Sequence, residues 1–237
     1  MTGQVAYFKH CFIVTYGRSG STLLQAMLNS LPGYVIRGEN GGLVEFARLL
    51  VRRLDRVRAS SNPPSSSPSD AWYGLAAIDR TGLLRGLGEV LEREVIRPPA
   101  DARCVGFKEI RYGPQDTPDL GDLLNFMSEV FERSCFIFNA RRLEDVAKSQ
   151  WWANRPDSLQ YLQSCEERMR TAHASGAYQS YWVDYDSYSS HPEELSGLFE
   201  FLGEPFDLQA VRDVLAVRQN PSPRDGTSDP RRADKLA

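Results

Sequence analysis

Short runs of apolar residues recur along the chain, and most of them give way to a small-residue turn and then to an amphipathic stretch. Residues 11–16, 34–37, 103–108, 135–139 and 181–185 read as buried strands, because they are continuously apolar or nearly so and stop at turn signals. The stretches at 20–31, 41–58, 77–95, 119–132, 143–153 and 158–174 carry a helical pattern. In 41–58, Leu43, Phe46, Leu49, Leu50, Leu54 and Val57 share one helical face. A last helix starts around Pro192, keeps Leu195, Leu198, Phe199 and Leu202 in register, and ends at Gly203. Strands alternating with helices predict an α/β fold, with a mostly parallel central sheet and helices on both faces.

Two segments break the pattern. Residues 59–70 are dense in Ser and Pro, which cannot pack a core, and are expected to form a mobile loop. It is either an inert linker or a lid over a substrate site. Residues 220–237 are rich in Pro, Ser, Asp and Arg and are expected to be a partly mobile tail. No internal repeat is present, and 237 residues suit a single domain spanning 1–237.

Composition narrows the class. A hydrophobic content of 41% and a charged content of 25% belong to an ordinary globular protein. The net charge of −3 argues against a nucleic-acid or anionic-membrane footprint, so any anion site must be built locally. No run of eighteen apolar residues is present to span a membrane, and no signal core opens the chain, so a cytoplasmic location is expected. Cys11, Cys104, Cys135 and Cys165 are scattered without C-x-x-C spacing, so no zinc site is expected.

The chemistry starts where the first strand ends. Phe12-Ile13-Val14-Thr15-Tyr16 runs into Gly17-Arg18-Ser19-Gly20-Ser21-Thr22 and then into a helical pattern. A strand, a glycine-serine turn and a helix N-terminus together aim backbone N–H groups at an anion. Gly17 and Gly20 permit close backbone approach, Ser21 and Thr22 add hydroxyls, and Arg18 adds a fixed charge. The loop lacks the Gly-Lys-Ser/Thr ending of a nucleoside triphosphatase.

Gly17-Arg18-Ser19-Gly20-Ser21-Thr22-Leu23-Leu24 resembles instead the 5′-phosphosulfate loop of sulfotransferases, which use 3′-phosphoadenosine 5′-phosphosulfate (PAPS). The resemblance covers most of the chain and points to a bacterial-type enzyme similar to the tyrosylprotein and carbohydrate branches. It implies a P-loop-like fold and metal-free sulfuryl transfer to an acceptor hydroxyl. In that family a strand-end arginine and a serine eight residues later hold the cofactor's 3′-phosphate. Arg141 and Ser149 have this spacing, with Asp145 midway, and Arg142 would serve if the register slips by one.

Two further segments carry the implied chemistry. Arg37-Gly38-Glu39-Asn40 is similar to the segment that supplies a glutamate base, which makes Glu39 the candidate base. Val105-Gly106-Phe107-Lys108-Glu109-Ile110-Arg111 is similar to the family's lysine segment, although Ile110 stands where a proline is usual. Lys108 and Arg18 would then neutralise the sulfuryl and leaving-group oxygens, and Arg111 would assist the anion or hold Glu109. Trp151, Trp152, Tyr16 and Tyr112 stand near these loops as candidates to stack on adenine, and Arg224 and Gly226 are weaker candidates for cofactor contacts in the tail. The expected partner is a small-molecule, carbohydrate or tyrosine acceptor, with no nucleic acid, and with a homodimer open because relatives often pair. A small-molecule kinase and a non-catalytic nucleotide-binding module are the alternatives.

Overall fold

The computed structural model describes residues 7–59 and 67–219. The tail at 220–237 and residues 60–66 of the Ser/Pro loop lie outside the described residues. The architecture is α/β, with a five-stranded sheet in which every pairing is parallel. The strands are β1 (His10–Val14), β2 (Tyr34–Arg37), β3 (Cys104–Glu109), β4 (Ser134–Ala140) and β5 (Ser180–Asp184), in the order β2-β3-β1-β4-β5. Strands β1, β3 and β4 are buried almost throughout, as the central strands of a parallel sheet covered on both faces must be.

Alternation along the strands sorts the core into two layers. Phe12, Val14, Phe107, Phe136 and Phe138 face α4 (Leu120–Val130) and α6 (Ser158–Ala174). Cys11, Ile13, Cys104, Cys135 and Ile137 face α1 (Ser21–Asn29), α8 (Ser196–Leu202) and α9 (Leu208–Gln219). The pleat has period two, so each central strand supplies both layers. Helix ends carry ordinary stops: Asp119 caps α4 through the N–H of Asp122 at 2.9 Å, and Gly203 ends α8 at φ 70°. Helix α3 (Arg80–Val90) runs on as a wider π-type turn from Leu91 to Ile96.

The structure departs from the expected pattern in two places. The helix expected over 143–153 is two pieces, α5 (Leu143–Ala147) and a 3₁₀ segment at Gln150–Asn154. Ser149 breaks it: its N–H and its hydroxyl both donate to the Val146 carbonyl, at 2.9 and 2.8 Å, and Gln150 follows at φ 46°. Helix α9 was not anticipated, because it buries little, with Val211 its main anchor against the α1 layer.

Helix α2 (Leu43–Ala59) turns much of its apolar face outward. Leu43, Phe46, Leu49 and Leu50 are exposed, while Val44, Glu45, Arg48 and Val51 are buried. Arg48 reaches Glu45 at 2.5 Å and also contacts Asp122 of α4, which Arg52 joins through its Nε at 2.6 Å. Val44 and Val51 join the core, and a charged network with several ion pairs packs beside them, which leaves the Leu43, Phe46, Leu49 and Leu50 side outward. Among the described residues, no helix is long and apolar enough to cross a membrane.

Candidate active site

The C-terminal ends of the strands converge on one edge of the sheet. β1 lies at the centre, and its neighbours β3 and β4 connect onward to opposite sides, so a crevice opens above it. The loop after β1 occupies this crevice. Arg18 and Gly20 are both left-handed, at φ 71° and φ 80°, and Gly20 leads directly into α1. No side chain caps α1, and no acid lies in its first turn. This is an open helix N-terminus with positive partial charge.

A buried polar network sets the loop's shape. The Thr15 hydroxyl is 2.6 Å from the Ser19 hydroxyl and 2.7 Å from the Asn139 carbonyl. The Asn139 amide donates to the Ser19 carbonyl at 3.0 Å, and the Tyr188 hydroxyl donates to the Asn139 side-chain oxygen at 2.9 Å. The network joins β1, its loop, β4 and α7 (Tyr185–Ser190), so the cradle is preformed rather than floppy. Trp152 donates its indole N–H to the Gly17 carbonyl at 3.0 Å and anchors the other end.

Arg141 follows β4 and leans onto the cradle. Its Nη1 donates to the Arg18 carbonyl at 3.1 Å, and its guanidinium lies 4.8 Å from the Tyr185 ring centre. Its buried Nε has no hydrogen-bond partner, with Asp186 at 3.9 Å. Arg142 is more exposed and faces Asp145 at 3.8 Å, away from the loop's contacts. Ser149 is half-buried with its hydroxyl turned to Val146, and among the described residues no hydrogen bond joins it to Arg141.

On the other side, Lys108 and Glu39 meet. β2 and β3 pair in register at Arg37 and Phe107, which carries the two strand ends to the same level. The Lys108 ammonium is 2.6 Å from Glu39 Oε1, and Arg111 stands 3.6 Å from Oε2. Glu109 holds this corner: its buried carboxylate accepts from the N–H groups of Asn40, Gly42, Ile110 and Arg111, at 2.8–3.2 Å. Gly17, Arg18, Ser19, Gly20, Ser21, Thr22, Glu39, Lys108 and Arg141 thus all lie along one edge of the sheet, at or just beyond strand C-termini.

No family model and no curated protein sequence matches the chain. Solved structures do. A sulfotransferase domain from the curacin biosynthetic pathway aligns with a TM-score of 0.52 at 16% identity, over 84% of this chain and 75% of that one. A sulfotransferase domain from the olefin synthase of Synechococcus PCC 7002 aligns with a TM-score of 0.50 at 18% identity, over 93% of this chain and 80% of that one. The chain has the sulfotransferase fold.

Two cavities border Glu39 in this sulfotransferase fold. One, of about 380 Å³, runs between Glu39 and Gly17 and is walled by Trp151, Trp152, Tyr161 and Arg155. Burial pushes the Tyr161 phenol up to about 12, and Arg155 sits 3.9 Å from its ring centre. The other, of about 320 Å³, joins Glu39 to Leu43, Val95 and Phe107. Of the aromatic candidates, Tyr16 and Tyr112 are core residues, and Trp152 is spent on Gly17. Trp151 alone keeps an exposed face, near Arg18.

Several working residues escaped the sequence reading. Tyr185, Asp186 and Asn139 shape the site, and each stands at the end of a strand or just beyond it, while Glu109 is held by Arg111 at 3.0 Å, one of the two roles expected of that arginine. Asn139 carried a signal, since a polar residue ending the run Phe136-Ile137-Phe138 needs a buried partner. Arg224 and Gly226 lie outside the described residues. Among the described residues no cluster of metal-ligating side chains is present.

Proposed function

We propose that this protein is a PAPS-dependent sulfotransferase that acts on a hydroxyl of a carbohydrate, small molecule or tyrosine. The observation that carries the reading is the juxtaposition of an open anion cradle at α1 with the Lys108–Glu39 pair on the same sheet edge. The residues present suit the cofactor: an uncapped helix N-terminus for the 5′ group, and a guanidinium with an orphaned buried Nε for a phosphate.

When bound, PAPS supplies the sulfuryl group, and adenosine 3′,5′-bisphosphate is released. The loop from Gly17 to Thr22 holds the 5′ end, and Arg141 and Ser149 hold the 3′-phosphate. Glu39 takes the acceptor's proton on a carboxylate oxygen as the acceptor oxygen attacks. Lys108 spends one of its three N–H donors on Glu39 and has two left to offset charge at the sulfuryl oxygens, with Arg18 opposite. Most of the rate then comes from placement and charge, as in phosphoryl transfer. The reading carries a cytoplasmic location, in keeping with four cysteines that are all unpaired and buried.

The test is calorimetry with adenosine 3′,5′-bisphosphate in the absence of magnesium, against ATP. Tight metal-independent binding that requires the 3′-phosphate is the expected result. Preference for magnesium-ATP would replace the reading with a kinase. Binding without turnover across a broad acceptor panel would leave a nucleotide-binding module.

A further inference from the structure

Helix α2 packs Val44 and Val51 into the core and also shows an apolar face to solvent. Its buried side carries the Glu45–Arg48–Asp122 network, and its solvent side carries Leu43, Phe46, Leu49 and Leu50. Phe46 is 67% exposed, far beyond what a core-facing phenylalanine shows. Contiguous apolar residues on one exposed helix face mark an interaction surface rather than scattered surface hydrophobes.

The chemistry around the stripe indicates what covers it. Arg53 and Arg56 lie on the exposed side of the same helix, and among the described residues neither has an ion-pair or hydrogen-bond partner. The acids of α2 do not face them: Glu45 is buried on Arg48, and Asp55 is held by Arg80 at 2.8 Å. Two exposed aromatics, Trp72 and Tyr73, sit on the turns that lead to Ile78, and the Ile78 carbonyl accepts from Arg58 at the end of α2. The one acid among residues 67–78, Asp70, is turned back onto the Trp72 N–H at 2.8 Å. Leucine and phenylalanine on one face with free arginines beside them form the composition of a helix that lies in a bilayer interface, and the exposed Trp72-Tyr73 pair, in the segment that Arg58 ties to the end of α2, has the side chains such interfaces favour.

We propose that the outer face of α2, with Trp72 and Tyr73, docks the protein on an anionic lipid bilayer. The apolar side chains enter the boundary between headgroups and acyl chains, and Arg53 and Arg56 meet anionic headgroups. The overall charge of −3 is no obstacle, because the attraction is set by the local patch within a Debye length. The same helix begins at Leu43, which shares a cavity wall with Glu39, so a docked molecule holds that cavity's mouth close to the membrane. The inference does not depend on the sulfuryl-transfer reading.

The experiment is vesicle co-sedimentation of the full chain, with pure phosphatidylcholine against vesicles containing about 30% phosphatidylglycerol. Binding to the anionic vesicles that falls at high salt is expected. Phe46→Glu/Leu50→Glu should abolish it, and Arg53→Glu/Arg56→Glu should weaken it at least about twenty-five-fold, at roughly fivefold per neutralised arginine. All four positions are exposed, and an unchanged melting temperature would show that the variants fold. Absence of vesicle binding by the wild type, or equal binding by the variants, would overturn the proposal. So would a dimer in light scattering that Phe46→Glu/Leu50→Glu dissolves while vesicles bind nothing, which would assign the face to a second copy of the chain.

Discussion

The ammonium of Lys108 lies 2.6 Å from a carboxylate oxygen of Glu39, with the lysine buried and the glutamate half-exposed. The buried member is the cation, held at the sheet edge by β3, and the open member is the acid that a substrate can reach. On the proposed reading, Glu39→Gln keeps the shape and removes the base, so turnover should fall at least about a hundredfold with bisphosphate affinity intact. Lys108→Met should lower turnover by about 10²–10³-fold, and the double variant should cost much less than the product of the two. Steady-state kinetics on all three decides, and near-full turnover by Glu39→Gln would remove it from the base role.

Arg141 should carry cofactor affinity. Arg141→Ala removes a guanidinium that already reaches the Arg18 carbonyl, and calorimetry should show bisphosphate binding weakened by about tenfold to a hundredfold. Arg142→Ala should change affinity little, since that side chain is mostly exposed and faces Asp145. The reverse pattern would move the 3′-phosphate contact by one residue.

Gly20 should tolerate no side chain. Its φ of 80° is the left-handed region, and a methyl there would fall inside the Tyr185 ring. Gly20→Ala should therefore destabilise the fold by about 1–3 kcal/mol and disrupt anion binding. Adding Tyr185→Ala clears the steric conflict but not the backbone strain, so urea melts should show recovery that is only partial.

Asp122 should be worth more to stability than a surface acid. Removing it leaves the buried Arg48 guanidinium with Glu45 alone, and Asp122→Ala should cost about 3–5 kcal/mol in urea denaturation. The apolar pair Arg48→Met/Asp122→Leu should restore most of that loss. Equal damage from the single and paired changes would mean the network is not what holds α2.

His173 should make the fold sensitive to mild acid. Burial lowers its pKa below the ordinary 6.5, and its Nδ1 lies 2.8 Å from the Ser180 hydroxyl. In the window between the lowered folded value and 6.5 the unfolded chain binds more protons, so stability rises with pH there and falls as pH drops through it. Thermal melts from about pH 7.5 to about pH 5 should show this loss, and His173→Phe should flatten the curve.

Most strands were legible because a buried parallel strand writes a continuous apolar run. Tyr34–Arg37 appears as read, and β3 and β4 differ from expectation by a residue at their ends. The helix over 41–58 was legible too, and its apolar face is real. Its orientation was not legible, because the decision belongs to Asp122 on α4, far away in the chain. Periodicity reports that a helix has two unlike sides, and it does not report which side the protein buries. The break at Ser149 was hidden for a related reason: a serine's preference for its own backbone competes with helix propensity only weakly, and the docking of Trp152 onto Gly17 accompanies the alternative.

By itself the sequence determined the alternation of strands and helices, the glycine-serine loop after the first strand, and the strand-end positions of Glu39, Lys108 and Arg141. These are local properties, set by side-chain type and spacing within a few residues. Only the tertiary structure decided that β1 lies between β3 and β4, which brings the three strand ends to one crevice, and that Lys108 pairs with Glu39. It also decided that Arg141 rather than Arg142 leans on the cradle, and that α2 shows its leucines to the outside. Those outcomes rest on contacts between residues 69 to 123 positions apart, such as Lys108 with Glu39 and Arg141 with Arg18, whose energies no local pattern contains.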